Sequence, residues 1–395
     1  MFKKICIKSK ESHSSNLDIA FLIDSMLYYG KVVLLVHRKE LEILFKEFGV
    51  DTLKELILSG RLELRFRNNM LGSIIAPDGK YGISTFKGEN INAHSTLYEI
   101  DRKQRRNSVK NLAFADEFSS LIPLYEYPQD FDKTIVKDFQ NVDMLKRQIP
   151  TYFNEVAPFY KLPESIEIEI IQEGNFVGFD TYKVNSNIDL EYLTNEFRKQ
   201  NPKSTSAVDF SGFLLAIAES KGDIYIASDL ESEIVTSDLY SKFIEIEISE
   251  IIKKRGKSVQ EINLFEDYVL ANCYSLGTAF NEGIISRKDL LKILEKSDQF
   301  REWLDKIPEE KNLLGEYNKA VLEKDLGDKL PTKTARFVIF EGIGITLDVL
   351  GAGGVGTTIA TGLSAFDNFV LDKLINRKWK PNQFIDKTLK PKIKL

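Results

Sequence analysis

The chain has 395 residues, of which 43% are hydrophobic and 29% are charged, and these values are typical of a globular protein. The formal net charge of −5 argues against a general nucleic-acid binder. Only two cysteines occur, Cys6 and Cys273, which excludes a disulfide framework and a thiolate metal site. The first residues lack the apolar core of a signal peptide, so we expect a cytoplasmic protein.

Residues 1–125 are predicted to form an α/β domain with a mixed sheet and flanking helices. A short strand over 2–7, a capped helix and the continuous apolar run KVVLLV at 31–36 indicate a βαβ unit with parallel strands. The alternation at 61–67 and the turn residues that follow it predict hairpins. Asp18 is predicted to cap the first helix rather than to bind a metal, as the acids of PIN-type nucleases do.

A helix is predicted over 95–122, and it carries four basic residues within five positions. Such a group can grip phosphates, but no aromatic residue is interleaved with it, so a solvated helix face is the preferred interpretation. Contact with an anion or a partner is the alternative function of these residues, which are Arg102, Lys103, Arg105 and Arg106.

Residues 126–235 are predicted to be a connecting region followed by a second small α/β unit. Its elements are a hairpin, a helix over 206–220 closed by Gly222, and a buried strand over 223–227. Asp209 followed by Glu219, Ser220 and Lys221 has the spacing of restriction-type nucleases. A helix between Asp209 and Glu219 would separate the two acids by about 15 Å, so we predict no metal site there.

Residues 236–395 are predicted to be a helical region that ends in a glycine-rich apolar hairpin and a basic tail. Ser258 and Glu261 have the spacing of a capping box, and the helix that follows is predicted to carry Ile262, Phe265, Val269 and Cys273 on its buried face. Ser286 is predicted to begin a further helix. Cys273 is predicted to be a core residue rather than a nucleophile, since no histidine is near it in sequence.

The most glycine-rich stretch, 337–374, has three interpretations, and the first is a phosphate-binding loop. An alternating run, a glycine turn and a helical pattern follow one another, the order that directs N–H groups at a phosphate. The letters VLGAGGVG resemble the dinucleotide-type turn of the ubiquitin-activating and thiamine-biosynthesis adenylyltransferases, and GGVGTT resembles the P-loop of the chromosome-partitioning ATPases. The resemblance implies phosphate contacts from Gly351, Gly353, Gly354, Gly356, Thr357 and Thr358. A P-loop has lysine where Thr357 stands, so we predict no ATP or NAD affinity tighter than about 1 mM.

The second interpretation, which we prefer, is a helical hairpin packed inside the protein, because glycines and small residues let helices approach closely. The third is conditional insertion into a membrane. A basic flank beside an uncharged stretch is typical of a cytoplasmic membrane boundary. The basic residues of this tail, which also present a possible anion or partner contact, include Lys387, Lys390, Lys392 and Lys394.

The sequence therefore predicts an α+β protein without a recognisable catalytic residue, metal site or cofactor. The first functional hypothesis is a cytoplasmic, non-catalytic interaction or effector protein, of a prokaryotic stress or antiphage defence system, with a protein partner or self-association. The second is a hydrolase, nuclease or nucleotide-binding enzyme whose site is dispersed in sequence. The third is a conditional membrane-active effector that acts through 337–374. Nucleic acid is not a favoured partner.

Overall fold

The computed structural model describes residues 2–8, 17–67, 69–87, 92–105, 108–204, 207–325 and 379–395. It divides into two compact units, one formed by Lys3–Ser258 and the other by Met1–Phe2 with Val259–Leu395. The glycine-rich stretch 337–374 and its six predicted phosphate contacts lie outside the described residues. Its three interpretations therefore stay predictions.

The larger unit, Lys3–Ser258, contains every strand that the structure describes. Its strands are β1 (Lys4–Lys8), β2 (Lys31–Val36), β3 (Leu62–Arg67), β4 (Asn69–Ile75), β5 (Tyr81–Lys87), β6 (Leu124–Tyr125), β7 (Ile168–Phe176), β8 (Phe179–Ser186) and β9 (Glu233–Val235). Its helices are α1 (Ile19–Tyr28), α2 (Arg38–Phe48), α3 (Val50–Leu58), α4 (Ala93–Arg105), α5 (Ser108–Ser119), α6 (Phe131–Phe139), α7 (Val142–Val156), α8 (Leu190–Gln200), α9 (Ser211–Asp229), α10 (Asp238–Glu247) and the first part of α11 (Ser249–Val269).

Five parallel strands form the first sheet, in the order β6-β3-β2-β1-β9. The chain adds β2, β3 and β6 on one side of β1 and then places β9 on the other side. The strand order therefore reverses between β1 and β9, and in open α/β sheets ligands bind beside such a switch point, at the carboxyl ends of the strands.

Side chains alternate between the two faces of this sheet, as the pleat requires. Parallel pairing aligns Cys6 with both Val33 and Ile234, and these residues share a buried cluster with Phe213 and Ile217 of α9. The long helix α9 is thus packed on this face. Lys8 is two residues after Cys6 and therefore lies on the same face, at the carboxyl end of β1. The helix α9 thus also covers the carboxyl edge of the sheet near β1.

The second sheet is antiparallel and has the order β4-β5-β8-β7, so it joins hairpins from two distant parts of the chain. Its strand β8 contributes Tyr182, which packs edge to face against Phe139 of α6 with ring centroids 5.1 Å apart. The predicted α+β class is confirmed: N-terminal strands with flanking helices, a second small sheet, and a largely helical C-terminal half. Asp18 accepts a hydrogen bond from Phe21 N and caps α1, as predicted.

The predicted helix over 206–220 is confirmed for 211–220, but its predicted end at Gly222 and the predicted strand over 223–227 are wrong. One helix, α9, runs from Ser211 to Asp229 and passes through Gly222 without a break. Its buried residues surround the helix axis instead of forming one stripe, because α9 is covered on several sides. When a helix is buried on all sides, its sequence lacks the 3.6-residue hydrophobic period. A short segment of it then cannot be distinguished from a buried strand.

In the second unit, α11 is followed by α12 (Leu276–Asn281), α13 (Arg287–Lys296), α14 (Asp298–Asp305) and α15 (Leu313–Asp325). The predicted capping box at Ser258 and Glu261 is wrong, since both residues lie inside α11; the Glu261 carboxylate instead accepts a hydrogen bond from Leu313 N at 2.6 Å. The predicted buried face is confirmed at Phe265 and Val269, whereas Ile262 is half-buried and Cys273 is half-buried and lies beyond the end of α11. Ser286 caps α13, as predicted.

The C-terminal residues form α16 (Pro381–Phe384), a π-helical turn (Ile385–Leu389) and α17 (Lys390–Ile393). Phe384, Ile385, Leu389 and Ile393 are buried, and Phe384 stacks on Phe300 of α14 with ring centroids 5.3 Å apart. The basic tail is therefore a packed element as well as a charged one. Within the described ranges, no helix has the length and the apolar character needed to cross a membrane.

Candidate functional site

Lys8, the last residue of β1, is a buried lysine at the carboxyl edge of the parallel sheet, with 8% of its surface exposed. Its ammonium donates to Asp223 Oδ1 at 2.8 Å and also to Glu219 Oε2. The two carboxylates come from α9, more than two hundred residues further along the chain. A buried ammonium between two carboxylates is a charge arrangement that no local sequence pattern can encode.

Glu219 and Asp223 are four residues apart on α9, so they lie on the same face of the helix, one turn apart. Their exposed fractions are 1% and 0%, respectively. Asp223 makes a further contact, because Thr236 Oγ1 donates to its Oδ2. Lys8, Glu219, Asp223 and Thr236 thus form one hydrogen-bonded chain at the β1/β9 switch point.

Arg67 adds a second buried cation to this edge from the end of β3, with 1% of its surface exposed. Its guanidinium lies over the ring of Tyr127, 5.4 Å from the centroid, and Nη2 is 3.4 Å from the Tyr127 hydroxyl. Tyr127 is itself stacked on Phe131 of α6, with centroids 4.3 Å apart. We name Lys8, Arg67, Glu219, Asp223 and Thr236 the carboxyl-edge cluster.

Electrostatics fix the protonation of this cluster. Burial disfavours the Lys8 ammonium, but Asp223 and Glu219 more than offset that cost and hold the pKa of Lys8 well above its usual value. Burial raises the pKa of Asp223, and the nearby Glu219 adds to the increase although Lys8 opposes it. Lys8 is therefore a fixed cation that contacts two buried carboxylates, and burial favours the protonated form of Asp223 more than water would.

His37 follows β2 at the same edge and is half-buried. Burial and then the positive charge of Arg67 lower the pKa of its imidazole, so His37 is neutral at pH 7. Burial also raises the pKa of the Cys6 thiol far above neutrality. Cys6 is therefore a protonated core residue and not a nucleophile.

A second buried polar group, the amino-edge cluster, lies at the opposite end of the same sheet. Glu233 at the start of β9 accepts from Tyr29 at 2.8 Å and from Ser258 at 2.7 Å, and Arg255 is 3.6 Å from the carboxylate. Both carboxylate oxygens of Glu233 therefore have hydrogen-bond donors. This cluster joins α1, β9 and α11 and provides a matched control for the carboxyl-edge cluster.

Lys221 lies on the other side of α9, where it links α6 to α10. Its ammonium is 3.1 Å from Asp138 Oδ2 and also contacts Glu247 Oε1. Burial raises the pKa of Asp138 to about 6, with Lys221 opposing and Glu247 reinforcing that increase. The middle of α9 is thus polar on two sides. Glu219 and Asp223 pair with Lys8 of β1 on one side, and Lys221 pairs with residues of α6 and α10 on the other.

Gly222 lets α9 approach Tyr127, because a Cβ at this position would lie 2.5 Å from the Tyr127 hydroxyl oxygen. We predict that Gly222→Ala lowers the free energy of unfolding by about 1–3 kcal/mol through overpacking. Tyr127→Phe removes the clashing oxygen, so the double variant should recover most of the loss. Urea denaturation monitored by circular dichroism measures all three variants.

Gly256→Ala is the control, since Gly256 lies in α11 and a Cβ there meets no atom within 4 Å. Alanine at an open helical position should stabilise the protein by about 0.5–1 kcal/mol. If Gly222→Ala also stabilises the protein, the close approach of Tyr127 to α9 is refuted.

Most of the residues singled out from the sequence lie away from the carboxyl-edge cluster. Arg102 pairs with Glu99 of the same helix, α4, at 3.0 Å, and Lys103 pairs with Glu42 of α2 at 3.1 Å. Both basic side chains therefore have acidic partners at the surface. The side chains of Arg105 and Arg106 lie outside the described part of the chain. In the nuclease-like spacing, Glu219 belongs to the cluster, whereas Asp209 precedes α9 and accepts from Ser211 N at 2.7 Å.

The tail lysines are on the surface of the second unit. Lys392 pairs with Asp289 at 3.0 Å and Lys390 with Asp386 at 3.1 Å, whereas Lys387 and Lys394 are exposed. The pairing of Lys392 helps to hold the pKa of Asp289 at about 2, after the larger effect of its hydrogen bond from Ser286. The surface ion pairs contribute little to stability, and the buried apolar residues hold the tail in place.

The carboxyl-edge cluster was missed because its members look ordinary in sequence. Lys8 ends a short strand in which charged residues occupy both termini, and Glu219 and Asp223 appear in a stretch split by a glycine. One signal is present: two acids at a spacing of four share a face of a largely apolar helix, and if that face is buried they must meet a polar partner.

Among the described residues, no group of three histidine, cysteine, aspartate or glutamate side chains converges in a way that could hold a metal ion. Comparison with protein-family models, curated proteins and solved structures finds no match to this chain.

Proposed function

We propose that the protein is a hydrolase whose active centre is the carboxyl-edge cluster. The observation that carries the proposal is the convergence of four charged side chains, each at least nine-tenths buried, at the switch point of a parallel sheet: Lys8, Arg67, Glu219 and Asp223. They come from β1, β3 and α9, so the site is dispersed in sequence, as the second hypothesis from the sequence requires.

The burial of these charges supports a chemical role over a purely stabilising one. Removing an ion from water costs several kcal/mol, and well-packed apolar residues often stabilise a core as well as a buried ion pair does. The position also matters, since ligands of open α/β sheets bind beside the carboxyl ends of the strands at a switch point. The amino-edge cluster lies at the other end of β9, where no such rule applies.

The arrangement suits general acid–base catalysis of a hydrolytic reaction. Glu219 and Asp223 compete for one ammonium, so one of them can hold a proton that it gives to a leaving group while the other accepts a proton from water. Lys8 keeps its charge and fixes the geometry of both carboxylates. Arg67 supplies a buried positive charge that can stabilise negative charge developing on a substrate.

The test is a panel of ester, phosphodiester, glycoside and nucleotide substrates with purified full-length protein. Asp223→Asn and Glu219→Gln keep the size of the side chain and should each lower turnover by about 10²–10⁴. The control Glu233→Gln alters a carboxylate that is buried to a similar extent in the same sheet and should leave turnover within about twofold. Loss of turnover in Glu233→Gln but not in Asp223→Asn would refute the assignment.

A second candidate function, binding of a protein partner, draws on an exposed apolar pair on α5. Val109 and Leu112 are 75% and 47% exposed, and their spacing of three places them on the same face of the helix. We propose self-association through this face, in a cytoplasmic interaction or effector protein. Sedimentation equilibrium should show a dimer that Leu112→Lys weakens at least tenfold, and a monomer at all concentrations would refute it.

A further inference from the structure

Thr236 is the member of the carboxyl-edge cluster that is not fully enclosed. It follows β9 directly and is half-buried, whereas Lys8, Glu219 and Asp223 are buried. The parallel register pairs Ile7 with Val235, so the next residues, Lys8 and Thr236, are level with each other on neighbouring strands. Thr236 therefore places a hydroxyl between the buried charges and the surface of the unit.

The Thr236 hydroxyl has the partners of an activated nucleophile. Its Oγ1 donates a hydrogen bond to Asp223 Oδ2, and Oδ1 of the same carboxylate accepts from Lys8 at 2.8 Å. Thr236 is then the nucleophile, Asp223 the base and Lys8 the group that orients the base. Hydrogen bonds join the three, as in the sites that activate serine, threonine and cysteine in covalent catalysis. The raised pKa of Asp223 makes its carboxylate a stronger base than a solvated aspartate.

The backbone beside Thr236 suits the same role. Ser237 caps α10, whose ten residues begin at Asp238, so Thr236 and Ser237 form a two-residue link from β9 to the helix. The first turn of a helix carries N–H groups without partners inside the helix and has a partial positive charge. Those groups can stabilise an oxyanion that forms next to Thr236 Oγ1.

We propose that Thr236 is the nucleophile of the carboxyl-edge cluster and that its substrates are acyl donors, esters or thioesters. This inference rests on the proposed hydrolase function and adds a covalent intermediate to it. Where the hydrolase proposal requires only an activated water, the covalent route predicts an acyl group attached to Thr236 Oγ1.

The two steps balance as follows. In the first step, the Oγ1–C bond forms, the bond between the acyl carbon and the leaving group breaks, and the hydroxyl proton moves to Asp223 and from there to the leaving alcohol or thiol. In the second step, water adds to the acyl carbon, its proton passes through Asp223 to Thr236 Oγ1, and the carboxylic acid is released. Each turnover consumes one water molecule and regenerates the threonine.

The experiment combines covalent labelling with turnover on the full-length protein. The probes are p-nitrophenyl acetate, which acetylates an activated hydroxyl with loss of p-nitrophenolate, and an alkyl fluorophosphonate, which forms a stable phosphonate ester with loss of fluoride. Intact mass and peptide mapping should place one adduct on Thr236. Thr236→Val should lose labelling at least 100-fold, Thr236→Ser should retain it, and Asp223→Asn should slow it about 100-fold. The control Thr134→Val changes another half-buried threonine, whose hydroxyl donates to the Phe131 carbonyl, and should label normally.

The possible results separate the two proposals. Turnover that depends on Asp223 and Glu219 but persists in Thr236→Val, without an adduct on Thr236, overturns the nucleophile and leaves the hydrolase proposal standing. An adduct on Thr236 without turnover of any substrate supports the nucleophile and overturns the hydrolase proposal. If the protein shows neither labelling nor turnover, both proposals are overturned.

Discussion

Replacement of Lys8 by methionine should lower the free energy of unfolding at pH 7 by about 3–5 kcal/mol, because it leaves two buried carboxylates without their cation. Lys8 Nζ contacts both Glu219 and Asp223, and the exposed fraction of Lys8 is only 8%. Methionine has a similar length, so little of the loss comes from a cavity. Reversible urea denaturation monitored by far-UV circular dichroism measures the change.

The pH dependence gives this prediction a second test. Without Lys8, the folded-state pKa of Asp223 should rise further, since Lys8 is the group that lowers it. A raised carboxyl pKa costs no stability below the unfolded value of about 4 and costs progressively more as the pH rises above it. The Lys8→Met variant should therefore approach wild-type stability as the pH falls from 7 towards about 4.

Two controls isolate the charge effect. Lys4 is in the same strand, but its ammonium bonds the Leu230 carbonyl, so Lys4→Met should cost only about 1 kcal/mol. Adding Glu219→Gln and Asp223→Asn to Lys8→Met removes the unpaired charges and should recover most of the loss. A cost below about 1 kcal/mol for Lys8→Met alone would show that the cluster is solvated.

In the second unit, Phe265→Ala should lower the free energy of unfolding by about 3–5 kcal/mol. Phe265 is fully buried, with ring centroids 5.2 Å from Tyr317 and 6.0 Å from Phe300. Alanine would leave a cavity among aromatic rings that cannot collapse without losing their own contacts. Denaturation by guanidinium chloride, with the tryptophan of α14 as reporter, follows this unit.

Tyr268→Ala is the matched control, because Tyr268 lies three residues away on the same helix and is 39% exposed. It should cost less than about 1 kcal/mol. If Phe265→Ala costs no more than Tyr268→Ala, the face of α11 that carries Phe265 does not form a core.

The sequence predicted the elements whose signals are local. The apolar run of β2, the cap of α1 at Asp18 and the cap of α13 at Ser286 depend on neighbouring residues, and all three are found as expected. The break predicted at Gly222 is wrong for a physical reason. The glycine accommodates Tyr127 instead of ending a helix, and that contact comes from a residue 95 positions earlier.

The candidate site depends almost wholly on contacts that are distant in sequence. Lys8 meets its two carboxylates across 211 and 215 positions, and Thr236 meets Asp223 only because β9 is placed beside β1. Without alignment to a known family, no pattern in the sequence joins these residues. The charge of the tail predicts a surface element, whereas Ile385, Leu389 and Ile393 have the spacing of a helical stripe, which predicts the packing that is found.

The packing of the C-terminal residues bears on how the protein is made. The main chain of Ile393 accepts from Tyr274 N at 2.9 Å, and Leu395 N donates to the Asn272 carbonyl at 3.2 Å. Translation delivers Tyr274 and Asn272 first and their partners last. The helical unit therefore cannot complete its core until residues 381–395 have left the ribosome, so a chain truncated before Phe384 exposes the apolar surface that Phe384 and Ile393 would have covered.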